Sequence, residues 1–262
     1  MLSYGFMQRA LFVGLCVSIA IPCVGLILVL RKFSMLGDAL SHTALAGVCF
    51  GLVVGISPTI GAIMSCIIAS FSVSIIGKRM KHNEEIAIAV ILSLGVGISG
   101  ILSNYIKSSV NINSFLFGSI ISISGREFAL VIALTILILI IFFKYYYEFM
   151  FYAFNEKEAQ KHYVNTRKID ILFTILIGLT ISISARVVGA LIISSLLVLP
   201  VACGLILGKS YKSTLLIAIF LSMLFVLSGL TISYYIGLSP GGAIVILGSI
   251  TLMIILLYKK RV

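Results

Sequence analysis

The residues with the most evident chemistry lie in Gly37-Asp38-Ala39-Leu40-Ser41-His42. In the 45 residues from Phe33 to Gly77, Asp38 and His42 are the only acidic or basic side chains. Ionisable groups inside apolar segments are costly and ordinarily functional. The four-residue spacing places the two about 40° apart, on one face of a helix. A carboxylate and an imidazole on one face make half a site for a divalent metal ion. Two ligands cannot complete a tetrahedral or octahedral shell, so the rest must come from water or other helices. An incomplete shell suits transit, because a transported ion must also leave. A plainer reading is that Asp38 pairs with Arg31 or Lys32, or favours a helix N-terminus, and that His42 is a hydrogen-bonded interior histidine. Spacing alone leaves both open. Cys49 falls on the same face as His42 but about 10 Å along the axis, too far to share one ion. It reads as packing, with a second metal station as the alternative.

The elements that must position this pair are apolar helices. Of the 262 residues 61% are hydrophobic and 10% charged, with a mean hydropathy of +1.23. So few polar groups cannot cover a soluble domain, and the composition is that of an all-α polytopic membrane protein. Uncharged stretches run over 10–30, 33–77 (Asp38 apart), 86–106, 128–143, 171–185, 187–208 and 213–258. Two of these hold two spans each, divided at Pro58 and at Ser239-Pro240-Gly241-Gly242. Eight or nine transmembrane helices result, the ambiguity lying in the pair that flanks Arg186. The first stretch reads as a retained span rather than a signal peptide. The whole of 1–262 reads as a single transmembrane domain.

The net charge of +11 does not point to nucleic acid. The charges sit in short loops, with no basic face or tail. With nine spans and the N-terminus outside, 15 of the 19 basic residues fall on the cytoplasmic side, as the positive-inside rule requires. One cytoplasmic segment, about 148–168, is longer and more polar than the others. Within it Phe151–Tyr163 reads as a short amphipathic helix, with Asn155 as N-cap and Glu156 and Glu158 in the first turn. It is either a solvated loop helix or a docking helix for a cytoplasmic partner. Residues 113–120 are too short to span and read as re-entrant or interfacial.

On the predicted second helix, Gly47, Gly51 and Gly55 form a small-residue ladder roughly opposite Asp38 and His42. Such ladders let helix backbones approach closely in lipid. The five cysteines all lie in apolar stretches with no Cys-x-x-Cys pair and read as buried small hydrophobes. Gly204-Leu205-Ile206-Leu207-Gly208-Lys209-Ser210 has three residues between its glycines where a phosphate-binding loop needs four, so the chain shows no nucleotide site of its own. No His-Glu-x-x-His or Gly-x-Ser-x-Gly is present. Glu127 and Asp170 sit at predicted helix ends, where charges are ordinary, and an intramembrane enzyme is disfavoured.

Several blocks, in order along nearly the whole chain, resemble the membrane permeases of ABC importers for zinc, manganese and iron. They are Phe6–Leu11, Leu28–Lys32, Gly37–Gly47, Phe115–Ser119, Val188–Ile192, Leu199–Ala202, and Ser233–Tyr235 followed by Ser239–Gly242. The resemblance implies a homodimeric permease in the cytoplasmic membrane of a prokaryote, with a pathway at the subunit interface. It implies a separate ATP-binding cassette subunit on the cytoplasmic side, an extracytoplasmic metal-binding protein, and lipid contacts. The family's metal site matches Asp38 and His42, with the metal as cargo and no permanent cofactor. Its coupling segment matches 154–163, with Phe154, Asn155, Glu156, Glu158 and Ala159 as the contacts. Asn155 stands where the family usually has Asp, which keeps a cap and loses a charge. The stretch Ala39–Gly47 looks more like zinc permeases than manganese or iron ones. The alternatives are a Mn²⁺ or Fe²⁺ permease, a secondary cation transporter with Asp38 as ion relay, and a membrane scaffold.

Overall fold

The computed structural model describes residues 5–80, 83–106, 115–116, 125–154 and 165–259. Among these are ten α-helices and no strands. They are α1 (Gly5–Leu30), α2 (Leu36–Val54), α3 (Pro58–Arg79), α4 (Glu84–Ser103), α5 (Gly125–Lys144), α6 (Tyr146–Phe154), α7 (Thr166–Val187), α8 (Ile193–Leu207), α9 (Tyr211–Ile236) and α10 (Pro240–Lys259). A 3₁₀ turn, Ala190–Ile192, precedes α8. Eight of the helices are long and apolar enough to cross a membrane. The ninth apolar helix, α8, has 15 residues, about 22 Å, and falls short of a bilayer's hydrocarbon core of about 30 Å. The chain is a multi-pass, all-helical membrane protein.

Local chemistry sets the breaks. Pro58 opens α3, where its missing N–H costs nothing. Pro240 opens α10 in the same way. The α7–α8 boundary lies past Arg186: α7 continues to Val187, and Gly189 turns the chain at φ 104°. Residues 151–154, read from sequence as the start of an amphipathic loop helix, are the last turn of α6. There Tyr152 and Ala153 are buried, as is Phe149 one turn earlier. Asn155, Glu156, Glu158 and Ala159 lie outside the described residues.

Helices α1 and α7 run through the centre, where Val13, Ile21, Val24, Ile27, Phe173, Leu176, Ile177 and Ile181 are buried. The large exposed apolar side chains lie on outward faces, among them Ile68, Ile101, Ile140, Phe220, Ile246 and Met253. They are the surface that hydrocarbon would solvate. Hydroxyls in the helices mostly return a hydrogen bond to the preceding turn, as Ser41 does to the Gly37 carbonyl at 2.7 Å and Thr180 to Leu176 at 2.7 Å. That satisfies them where water is absent. All five cysteines are free.

Candidate metal site

Asp38 is the third residue of α2, in its first turn, and His42 follows one turn later. The helix packs mainly on α3 and α4, with further contacts to α7, α8 and the 3₁₀ turn. Three close approaches fix its rotation. A Cβ on Gly47 would lie 2.3 Å from the Gly61 carbonyl oxygen of α3 and 2.1 Å from Ser65 Oγ. A Cβ on Gly95 of α4 would lie 2.9 Å from the Thr43 amide nitrogen and 3.1 Å from the His42 carbonyl carbon. A Cβ on Gly37 would lie 3.3 Å from Ser194 Cα and Leu197 Cδ1 at the start of α8. With Gly47 turned to α3, the face about 180° away is the one that carries Asp38 and His42.

Both side chains are half-buried, whereas Leu36, Gly37 and every residue from Ala39 to Ser41 and from Thr43 to Cys49 are buried. Among the described residues neither Asp38 nor His42 has a hydrogen-bond or ion-pair partner. The plainer alternative of a local Asp38 ion pair with Arg31 or Lys32 is therefore not what the fold forms. Ser41 and Thr43, their polar neighbours, spend their hydroxyls on the carbonyls of Gly37 and Leu40. No group of three or more His, Cys, Asp or Glu gathers among the described residues. Among the described residues, one copy of the chain thus offers two ligands on this face. Cys49, about two helical turns beyond His42, is 1% exposed and packs in the interior.

The depth of the pair follows from the helices beside it. Cys66 Sγ donates to the Leu40 carbonyl at 3.4 Å, and Ser65 Oγ to the Thr43 carbonyl at 2.8 Å. From Cys66 to the Arg79 end of α3 is about 20 Å, and to its Pro58 end about 12 Å. Gly95, pressed on His42, lies about 16 Å from the Glu84 end of α4 and about 12 Å from its Ser103 end. The pair is therefore near mid-membrane, although it stands at the start of its own helix. The reason is that α2 begins deep: Leu36 shares a cavity lining with Ser70, well inside α3.

The glycine ladder is shorter than its spacing suggests. Gly47 and Gly51 lie under α3, a Cβ on Gly51 coming 3.2 Å from Pro58 Cα. Gly55 lies beyond the end of α2, at φ 80°, and a Cβ there would meet nothing within 4 Å. It caps the helix, its amide donating to the Gly51 carbonyl, a left-handed role that glycine fills without strain. Between α2, α3 and α4 runs an apolar groove of about 360 Å³ lined by Gly47, Phe50, Met64, Ile68, Leu94 and Ile98. It faces away from Asp38 and His42.

A second polar cluster was not apparent from the sequence. Asp170, near the start of α7, accepts from Tyr152 Oη of α6 at 2.6 Å through one carboxylate oxygen. Through the other it accepts from Lys78 Nζ at 2.5 Å and Ser74 Oγ at 3.2 Å, both on α3. The Arg31 guanidinium lies 4.0 Å from the centroid of the Tyr152 ring. A cavity of about 40 Å³ is lined by Arg31, Ser74, Lys78, Glu84, Tyr152 and Asp170. Lys78 and Ser74 are 92 and 96 residues from Asp170 in sequence, so no local motif could announce the cluster.

Comparison with known proteins agrees with this architecture. The sequence model of the ABC 3 transport family matches residues 3–259. A probable metal transport system membrane protein of Treponema pallidum is 32% identical over 256 residues, which cover 98% of this chain and 96% of that one. The high-affinity zinc uptake system membrane protein ZnuB of Haemophilus influenzae is 28% identical over 256 residues, covering 96% and 97%. The solved structure of PsaBC from Streptococcus pneumoniae in complex with Fab superposes with a TM-score of 0.85 at 25% identity, covering 96% of this chain and 91% of that one.

Proposed function

We propose, since this chain belongs to the ABC 3 transport family, that it is the permease subunit of an importer that carries Zn²⁺ through the cytoplasmic membrane of a prokaryote. The coarser statement, an ABC-type metal permease, rests on the family and on relatives across their whole length. Relatives are named for zinc, manganese and iron systems alike. The preference for zinc comes from the Ala39–Gly47 stretch and stays a proposal, as Asp plus His serves all three ions.

The observation that carries the reading is the mid-membrane pair Asp38 and His42, partnerless among the described residues and on an open face of α2. Two ligands hold an ion loosely. A second copy set face to face across a two-fold axis would bring four, enough for a tetrahedral shell. This supports a homodimer with the pathway between subunits. ATP would be hydrolysed by a separate cassette subunit docked on Phe154, Asn155, Glu156, Glu158 and Ala159. An extracytoplasmic binding protein would deliver the metal. Phe154 is 65% exposed at the end of α6, available to a partner.

The test is metal-resolved uptake in cells lacking their own zinc importers. Asp38→Ala and His42→Ala should each abolish Zn²⁺ uptake while the protein still inserts. Undiminished uptake in both variants would sink the site, and uptake of Mn²⁺ or Fe²⁺ in preference would move the assignment to those ions. Uptake that continues without the ATPase and collapses with the ion gradient would favour a secondary transporter.

A further inference from the structure

We infer that Arg31, stacked on Tyr152, is a positioning residue that passes movement of the partner-docking segment on to α2, so that ATP hydrolysis is spent on moving metal. The inference rests on the proposed function for the existence of an ATPase partner, and on the geometry of four helices for the path.

The docking segment begins directly after α6. Its first contact residue, Phe154, is exposed, yet Tyr152 two residues earlier is 2% exposed. Displacement of Phe154 therefore reaches a buried ring within one turn of the same helix. That ring stands where two lines of contact meet. Its hydroxyl is held by Asp170, and Asp170 in turn holds Ser74 and Lys78 of α3. Its face carries the Arg31 guanidinium at 4.0 Å, which also lies 5.1 Å from the Phe33 ring. A planar cation on a ring face fixes orientation as well as distance, which a lysine point charge does not.

Arg31 opens the turn that joins α1 to α2. The turn is tightly tied: the Arg31 amide donates to Ile27 at 2.9 Å, Phe33 to Leu28 at 2.9 Å, and Leu36 to Phe33 at 2.8 Å. Lys32 within it sits at φ 63°, a left-handed conformation that a side chain adopts at a cost and keeps only while its surroundings hold it there. Asp38 follows in the first turn of α2. A shift of Tyr152 thus drags Arg31, the strained turn and the start of the metal-bearing helix together. The α3 branch arrives at the same helix through the Ser65 and Cys66 contacts with Thr43 and Leu40.

The experiment reconstitutes the chain with its ATPase subunit in liposomes. It measures ATP hydrolysis, Zn²⁺ uptake by an internal zinc indicator, and emission from a fluorophore on Met35→Cys, an exposed position at the start of α2. Arg31→Met keeps the length of the side chain and removes the planar cation. It should leave hydrolysis unchanged, cut Zn²⁺ moved per ATP by about tenfold, and erase the nucleotide-driven emission change. Arg31→Lys, which keeps a cation over the ring, should recover part of both. Unchanged Zn²⁺ per ATP with an unchanged emission response would overturn the inference. So would assembly, hydrolysis and uptake falling together, the mark of a purely structural residue. If the unmodified chain shows the emission response but moves no Zn²⁺, the metal reading fails, and the emission of Arg31→Met alone decides the inference.

Discussion

Two polar clusters among the described residues are built on opposite principles. At Asp170 every oxygen is spoken for: a tyrosine hydroxyl, a serine hydroxyl and a lysine converge on one carboxylate from two other helices. At Asp38 and His42 nothing among the described residues converges, and both side chains stay half-open without partners there. A satisfied network holds its helices in place, and breaking it strands the groups left behind. A pair with no partner among the described residues holds none of those helices together and is open to a visitor. In hydrocarbon an unfilled carboxylate is the expensive choice, so its persistence argues for use.

That contrast can be broken by exchange of phenotypes. The largest effect is expected for Asp38→Ala and His42→Ala: uptake falls to background while the melting temperature of purified protein stays put. Unfolding of either variant would place the pair among the structural clusters. Next comes Gly47→Ala, where the new Cβ meets backbone of α3. A clash of this kind costs about 1–3 kcal/mol, read as a lower melting temperature with a matching loss of folded yield. The contrast sharpens with Asp170→Ala. Lys78 is 54% exposed and can turn to solvent, so the loss should be about 1–2 kcal/mol, mostly from the freed Tyr152 hydroxyl and the lost Ser74 bond. Uptake by the folded fraction should fall only in part, since Arg31 still joins Tyr152 to the start of α2, and full loss of uptake with unchanged stability would erase the distinction. Smallest of all, Gly97→Ala meets open space on α4 and should change stability by less than about 1 kcal/mol, in the stabilising direction expected for a helix interior.

Much of this was legible in the sequence because apolar background makes polar residues conspicuous. Asp38 and His42 stood out for that reason, and Pro58 and Pro240 marked helix starts because they remove a donor that only a first turn can spare. Gly55 misled because a four-residue period does not say where a helix stops. Its role is set by the left-handed φ of a cap. The short α8 was hidden because its apolar stretch is continuous with the Gly189 turn and the 3₁₀ segment that consume its first residues. Asp170 looked ordinary since its partners come from distant helices. The depth of the Asp38 and His42 pair was beyond reach for the same reason. It depends on how far α2 is raised against α3 and α4, a register fixed where Gly47 meets Gly61 of α3 and where Gly95 of α4 meets His42 and Thr43, contacts that the sequence of α2 alone does not show.

That register has an electrical consequence. A site near mid-membrane lies about halfway through the transmembrane voltage. One elementary charge crossing 100 mV changes energy by about 2.3 kcal/mol, so a divalent ion arriving from outside gains roughly that much on reaching Asp38. An energised, inside-negative membrane would then load the site about fiftyfold more tightly than a discharged one, and the second half of the journey is downhill again. For the importer proposed above, the voltage would therefore favour the cargo on both halves of its journey.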